Sequence, residues 1–403
     1  MKRIKVQFPN EKDEQLSGIL FMPASRKPHN YAIFVHCFTC SKNLNAVRDI
    51  ARGLNTQGFG VLTFDFTGLG KSEGTFLETN LSNNTQDLLQ AANFLKQNYN
   101  SPSLLIGHSF GGAAVLHAAF KLSDISAVAT IAAPHDPEHI KHLFDDQLEQ
   151  IKTDGIAWVE IAGRPFQIQD QFLQDINAIE VDQRLHLLKK PLLVLHSPQD
   201  KIVEIENAKL IYESAQHPKS FISLVGADHL LSDPKDAIYA GKVIASWAER
   251  YLDSQVDDQI ETDHDVVVEL NQEDTYTAEI QAGPHRLISD EPQSLGGSEL
   301  GPTPYEYVAA GLGSCTAMTL FMYARRKNWE LESVRVHLIH DKKHIEDSKN
   351  EGKIDVFQRE IEIIGKLSDE QRERLLQIAN KCPVHKTLES SSKIITSLRS
   401  LDF

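Results

Sequence analysis

The sequence predicts a two-domain α/β protein: a mostly parallel sheet flanked by helices, interrupted by a small helical lid, and followed by a smaller α+β domain. Three observations carry this reading. The chain has 403 residues, beyond the roughly 250–300 at which a single hydrophobic core stops growing. From Tyr31 to about Leu252, short apolar runs (YAIFVH, GVLTFDF, SLLIGHS, SAVATIAA, PLLVLHS, SFISLVGA) alternate with helix-length segments, the rhythm of a parallel sheet covered on both faces. The rhythm then stops: Asp253, Asp257, Asp258, Glu261, Asp263 and Asp265 crowd a stretch with almost nothing that packs, and such a segment stays solvated. The expected division is residues 1–254, an acidic linker at 255–264, and residues 265–403.

Composition narrows the function classes. Hydrophobic residues make up 41% and charged residues 24%, as in globular chains rather than disordered or fibrous ones. The opening MKRIKVQFPNEKDEQLSG has basic residues but no apolar stretch of signal-peptide length behind it, and no uninterrupted apolar run of membrane-spanning length occurs. Export and membrane association are therefore not expected, and a cytoplasmic location is. A net charge of −15 repels phosphate backbones, so no nucleic-acid partner is expected. Four cysteines, Cys37, Cys40, Cys315 and Cys382, are too few for a disulfide framework, and thiol chemistry, where present, is expected to be catalytic. Nothing in the sequence asks for a cofactor or a metal.

The first chemical signal is G-x-S-x-G, which occurs at Gly70–Gly74 and at Gly107–Gly111. A nucleophilic serine on a strand-to-helix turn needs glycines two residues to either side, where the backbone bends and packs closely. Ser109 follows the apolar strand SLLI and leads into GGAAVLHAAFKL, a helix opening with small residues; Ser72 sits in a polar, glycine-rich loop and is read as structural. A serine hydroxyl needs a histidine to take its proton and a carboxylate to fix the histidine's tautomer. In chain order acid then histidine, PLLVLHS runs into Asp200 and FISLVGA into Asp228-His229, both at carboxyl ends of strands, where such sheets carry their sites. Asp200 is the expected acid and Asp228 its competitor, ranked lower because adjacent loop residues seldom aim at one another. Two N–H donors are needed for the oxyanion: Phe110, after the nucleophile, and Phe38, or less favourably Cys37, after strand YAIFVH.

With HCFT, FDFTGLGKSEG, GHSFGG, SPQD and GADH in these positions, the segment resembles the α/β-hydrolase superfamily. The resemblance implies the α/β hydrolase fold and a serine carboxylesterase or acyl hydrolase acting on small-molecule esters, with residues of about 134–185 as a lid over the acyl pocket. Cys37 and Cys40 form a C-x-x-C, but without a thioredoxin-like context they are read as loop residues. The pairs His139/His142 and His340/His344 have spacings that could hold a metal, yet no further ligand completes a site, and a solvated face is the reading for both.

In the second domain VVVEL, TYTAEIQAG and HRLISDE read as strands. TPYEYVAAGLGSCTAMTLFMYARRK reads as a buried helix with Pro304 in its first turn. SVRVHLIH and DVFQREIEIIG read as strands, and S-x-x-Q from Ser368 as a capping box opening an amphipathic helix. Free cysteines are mostly buried hydrophobes, but the surroundings of Cys315 and Cys382, namely GPTPYEYVAAGLGSCTAMTLFMYARRKNWELESVRV and CPVHKTLESS, resemble the OsmC family of osmotically inducible and organic-hydroperoxide-resistance proteins. That resemblance implies that Cys315 attacks an organic hydroperoxide and Cys382 resolves the sulfenic acid as a disulfide, with a dithiol reductant restoring the pair. It implies a glutamate holding an arginine that lowers the attacking thiol's pKa. Glu306 matches the glutamate of one branch of that family, and Arg286 is the expected arginine, with Arg325 and Arg326 as rivals. It also implies a homodimer formed through this domain. The alternative is an esterase whose second domain only dimerises or binds.

Overall fold

Alternating burial along Lys2–Pro9 (β1) and Gln15–Met22 (β2) marks an antiparallel hairpin that opens the chain in a computed structural model. The structure describes residues 1–23, 28–36, 42, 45–161, 164–177, 185–252, 260, 262–344 and 353–399. Contacts divide the chain into two units, Met1–Glu261 and Thr262–Phe403.

In the first unit β1 and β2 join Asn30–Val35 (β3), Phe59–Phe64 (β4), Leu104–His108 (β5), Ala127–Ile131 (β6), Leu192–His196 (β9) and Lys219–Ser223 (β10) in one sheet, in the order β1-β2-β4-β3-β5-β6-β9-β10. Every pairing from β4 to β10 is parallel, while β1–β2 and β2–β4 are antiparallel. Because β3, β4, β5, β6 and β9 are buried along their whole length, they read as continuous apolar runs rather than alternating ones. Their two faces feed two cores. Ala32, Phe34, Val61, Ile106, Ala129 and Leu193 pack with Asn45–Asn55 (α1) and Pro234–Ala248 (α7). Ile33, Val35, Leu62, Leu105, Val128 and Val194 pack with Leu81–Asn98 (α2), Phe110–Ala118 (α3) and Ile205–Ser214 (α6). The parallel strands thus all point their carboxyl ends the same way, and chain order reverses about β3, where sheets of this kind open a crevice.

The segment between β6 and β9, expected as a small helical lid, holds strands as well as helices. It holds a kinked 3₁₀ stretch at Pro137–Gln147, Leu148–Asp154 (α4), an antiparallel hairpin of Ile156–Ile161 (β7) and Arg164–Gln169 (β8), and Asp170–Asn177 (α5). Trp158 and Val159 alternate between exposed and buried, a two-residue period that no helix shows. Ile140, Phe144, Ile151, Val159 and Phe172 belong to the same core as α2 and α3, so the insertion is packed onto the sheet's helices.

The second unit has a three-stranded antiparallel sheet of Val266–Glu269 (β11), Ala278–Ala282 (β12) and His285–Ser289 (β13), and a two-stranded one of Glu330–His344 (β14) and Lys353–Lys366 (β15). Pro304–Arg326 (α8), Asp369–Ala379 (α9) and Pro383–Glu389 (α10) complete it. The expected capping box at Ser368 is present, with Gln371 N–H donating to the serine and Ser368 N–H to Gln371 Oε1. Helix α8 is not buried all round, as the sequence reading had it: Leu312, Thr316, Leu320 and Ala324 form one buried stripe at four-residue spacing, whereas Met318 and Met322 are 65% and 71% exposed. By length and composition α8 is the one helix among the described residues that could cross a membrane; its apolar stripe packs within its own unit.

Candidate active sites

At the carboxyl end of β5 the chain turns into α3 through Ser109, held at φ 54°, ψ −129°. That left-handed, sparsely populated backbone persists only where its surroundings enforce it, and here the enforcement is close packing around two glycines. A Cβ at Gly107 would lie 2.3 Å from the carbonyl oxygen of Gly111, and one at Gly111 2.5 Å from that of His36. The expected result for Gly107→Ala is a loss of about 3 kcal/mol or more, the range of severe overpacking. Thermal unfolding checks it, and an unchanged Tm would show that the turn can relax around a methyl group.

The turn presents Ser109 Oγ 3.0 Å from His229 Nε2, and His229 Nδ1 lies 2.8 Å from Asp200 Oδ2. Asp200 sits in the loop after β9, and its other oxygen accepts the N–H groups of Ile202 at 2.9 Å and Val203 at 3.0 Å. Burial works against its charge, but the hydrogen bonds from His229, Val203 and Ile202 outweigh it and hold the carboxyl below its ordinary value. The competitor Asp228 turns away and accepts the N–H of Ser232 at 2.8 Å. Ser72 is a loop brace: its hydroxyl donates to the carbonyl of Asp65 at 2.5 Å and accepts the N–H of Ser17 at 2.9 Å.

Phe110, the expected first oxyanion donor, is the first residue of α3. Its ring lies 6.3 Å from that of Phe172, which is 6.4 Å from Phe144, so the insertion brings an apolar cluster against the residue after Ser109. Phe38, Cys37 and Cys40 lie outside the described residues. The residues bracketing them, His36 and Lys42, converge on Asp65, which sequence reasoning passed over within FDFTGLG. Its carboxylate accepts Lys42 N–H at 2.8 Å and Lys71 N–H at 3.0 Å, pairs with the Lys42 ammonium, and stands 3.7 Å from His36 Nε2. Burial would raise it, but His36, Lys42 and Lys71 push it down to about 2.

In the second unit Cys382 is buried and Cys315 half-buried, and both are free thiols. Cys382 Sγ accepts the N–H of His385 at 3.3 Å and lies 3.8 Å from Thr316 Oγ1. Burial raises this thiol, but the His385 N–H, the Cys315 side chain, Thr316 and the charge of Arg359 together hold it below its ordinary value. Arg286, the expected arginine, lies on β13 opposite Gln281 of β12. The cation that acts on Cys382 is Arg359 of β15, whose guanidinium donates to Thr316 Oγ1 at 2.7 Å and Asn380 Oδ1 at 2.8 Å. Glu306 is engaged in capping α8: its carboxylate accepts Thr303 N–H at 2.7 Å, satisfying a helix-terminal donor. Arg325 and Arg326 stack over Phe321 and Tyr323 of their own helix. Arg359 was hidden from the sequence because DVFQREIEIIG alternates polar with apolar residues, and an arginine on such a strand reads as surface charge.

The histidine pairs form no metal cluster among the described residues. His139 Nε2 bonds the carbonyl of Ile202 at 3.1 Å and His142 pairs with Asp145. His340 lies between the rings of Tyr305 and Phe357 and bonds Asp355 at 2.8 Å, and the side chain of His344 lies outside what is described.

Residues 27–153 match the family described as serine aminopeptidase, S33, and residues 296–397 the family described as OsmC-like protein. The uncharacterized protein YfhR of Escherichia coli (strain K12) is 24% identical over 244 residues, 59% of this chain and 78% of that one. A lysophosphatidylserine lipase of Danio rerio is 26% identical over 170 residues, covering 41% of this chain and 42% of the lipase. The solved esterase domain of a Rhodothermus marinus protein is 47% identical with a TM-score of 0.53, covering 62% of this chain and 99% of that domain.

Proposed function

Because the chain belongs to the α/β-hydrolase superfamily through its first unit and carries an OsmC-like domain after it, we propose that it is a serine carboxylesterase or acyl hydrolase joined to a thiol-based reductase of organic hydroperoxides. One observation carries the first half: the unbroken line Ser109 Oγ, His229 Nε2, His229 Nδ1, Asp200 Oδ2, with links of 3.0 and 2.8 Å. In this reading His229 takes the proton as Ser109 Oγ bonds to the ester carbonyl carbon, and Asp200 stabilises the imidazolium that forms. The N–H of Phe110 and that of Phe38 receive the developing oxyanion. His229 returns the proton to the departing alcohol, and water then releases the acid from the acyl-serine by the same path in reverse. Phe144 and Phe172 are the acyl-chain side of the site. Their apolar character and the similarity to a lipid-acting esterase support an acyl ester substrate. Hydrolysis of short aryl esters by the purified chain tests this reading, and no turnover above the rate without protein rejects it.

In the second unit Cys315, as the attacking thiolate, displaces alkoxide from the hydroperoxide, giving a sulfenic acid at Cys315 and an alcohol. Cys382 condenses with the sulfenic acid, releasing water and leaving a Cys315–Cys382 disulfide that an external dithiol reduces. The contact between the two side chains and the lowered Cys382 thiol support it. The expected result is that an alkyl hydroperoxide converts the wild-type chain to the species lacking two hydrogens, located by peptide mass mapping at Cys315–Cys382, and that Cys315→Ser does not form it. Absence of the disulfide in the wild type would leave the domain as a dimerisation or binding module. A homodimer through this unit is supported by apolar side chains that its own fold leaves bare, with Met318 65%, Met322 71% and Ile339 64% exposed. Monomeric proteins seldom leave such faces uncovered.

A further inference from the structure

Two buried histidines with no part in the proton path end the strands that carry it. His108 closes β5 one residue before Ser109, and its Nε2 lies 2.7 Å from the main-chain carbonyl oxygen of His229. His196 closes β9, and its Nε2 lies 2.8 Å from the carbonyl oxygen of Val203, in the loop that holds Asp200. A carbonyl oxygen only accepts, so each ring donates an Nε2–H. Burial pushes His108 down to about 4, helped by the neighbouring His229, and lowers His196 as well. Both rings are therefore uncharged near neutral pH and act as fixed N–H donors.

His229 is thus held at two points by two consecutive residues. Its ring meets Ser109 Oγ at 3.0 Å, and its carbonyl meets the His108 ring at 2.7 Å. The peptide between His108 and Ser109 is planar and stiff, so the two contacts together fix where the base's backbone stands relative to the nucleophile. We propose that His108 is a positioning residue, whose Nε2–H bond to the His229 carbonyl registers the base on Ser109. The proposal rests on the reading of Ser109 and His229 as nucleophile and base. The residue type fits the task. Leucine would fill the buried volume but leave the His229 carbonyl without its donor. Lysine or arginine would donate but place a cation beside a ring that must itself become an imidazolium.

The test uses full-length His108→Leu and His108→Gln, since the glutamine amide carries an N–H to about the reach of Nε2. Turnover is scored per active site titrated with a fluorophosphonate. The leucine variant is expected to lose about 100-fold in kcat, the scale of a misplaced catalytic group, with KM changed by less than about two-fold and serine phosphonylation slowed in parallel. The glutamine variant is expected to recover most of that loss. A leucine variant with wild-type kcat per site, or equal losses in both, overturns the proposal. Should leucine prevent folding, His108→Asn, whose amide is too short to reach, replaces it: glutamine exceeding asparagine supports the bond, and equality overturns it. An inert wild-type chain, or an active Ser109→Ala, would instead remove the ester-hydrolase reading and the proposal with it.

Discussion

Ser109→Ala is expected to lower turnover of short aryl esters by about 10,000-fold or more, the scale seen when a nucleophile that acts as a unit with its base is removed. The fold should survive the change. Alanine meets the same φ of 54° as serine, and the only atom lost is the Oγ that faces His229. Ser72, in the other G-x-S-x-G, is engaged with Asp65 and Ser17 and offers no substitute hydroxyl. Steady-state kinetics with matched thermal unfolding checks this. Wild-type-like turnover in a folded Ser109→Ala variant would place the chemistry elsewhere.

The second large effect is expected at Asp200. Asp200→Asn keeps the shape and an oxygen for the Ile202 and Val203 N–H groups, but it presents an amide N–H to His229 Nδ1. The ring then holds the wrong tautomer, with its proton directed at Ser109, and kcat is expected to fall by roughly 10,000-fold with little change in stability. Asp228→Asn should stay within about three-fold of wild type, because Asp228 serves Ser232 and its loss removes no link of the relay. Comparison of kcat for the two variants decides between the two carboxylates. A larger loss at Asp228 than at Asp200 would contradict the assignment.

What the sequence disclosed follows from how each feature is stabilised. The strands β3, β4, β5, β6 and β9 were legible because burial on both faces writes an apolar run. The turn at Ser109 was legible because backbone approaches of 2.3 and 2.5 Å admit nothing larger than glycine at 107 and 111. Asp200 and His229 could be located because each loop follows a strand of the sheet in a fixed order, the first of them, β9, buried along its whole length. Other features depend on partners far away in the chain. The strand β1 is a sheet edge with interleaved charges, and β7–β8 gains its stability by packing Val159 and Ile168 into a core built by distant helices. His108 looked like an ordinary residue of an apolar strand, since its bond to the carbonyl of His229 spans 121 residues of sequence. Glu306, read by resemblance as an arginine holder, also forms a capping pair with Thr303 three residues earlier. For α8, an apolar composition cannot say whether the cover comes from its own chain or from a second copy.

The central claim is that one hydroxyl, at position 109, does the acyl-transfer chemistry. Labelling the full chain with a fluorophosphonate and mapping the adduct by peptide mass spectrometry tests it most directly. The account predicts stoichiometric modification of Ser109, esterase activity lost in step with labelling, and no adduct in His229→Ala over the same interval. Complete inactivation with the phosphonate on any other residue, or full activity in protein modified at Ser109, would contradict it.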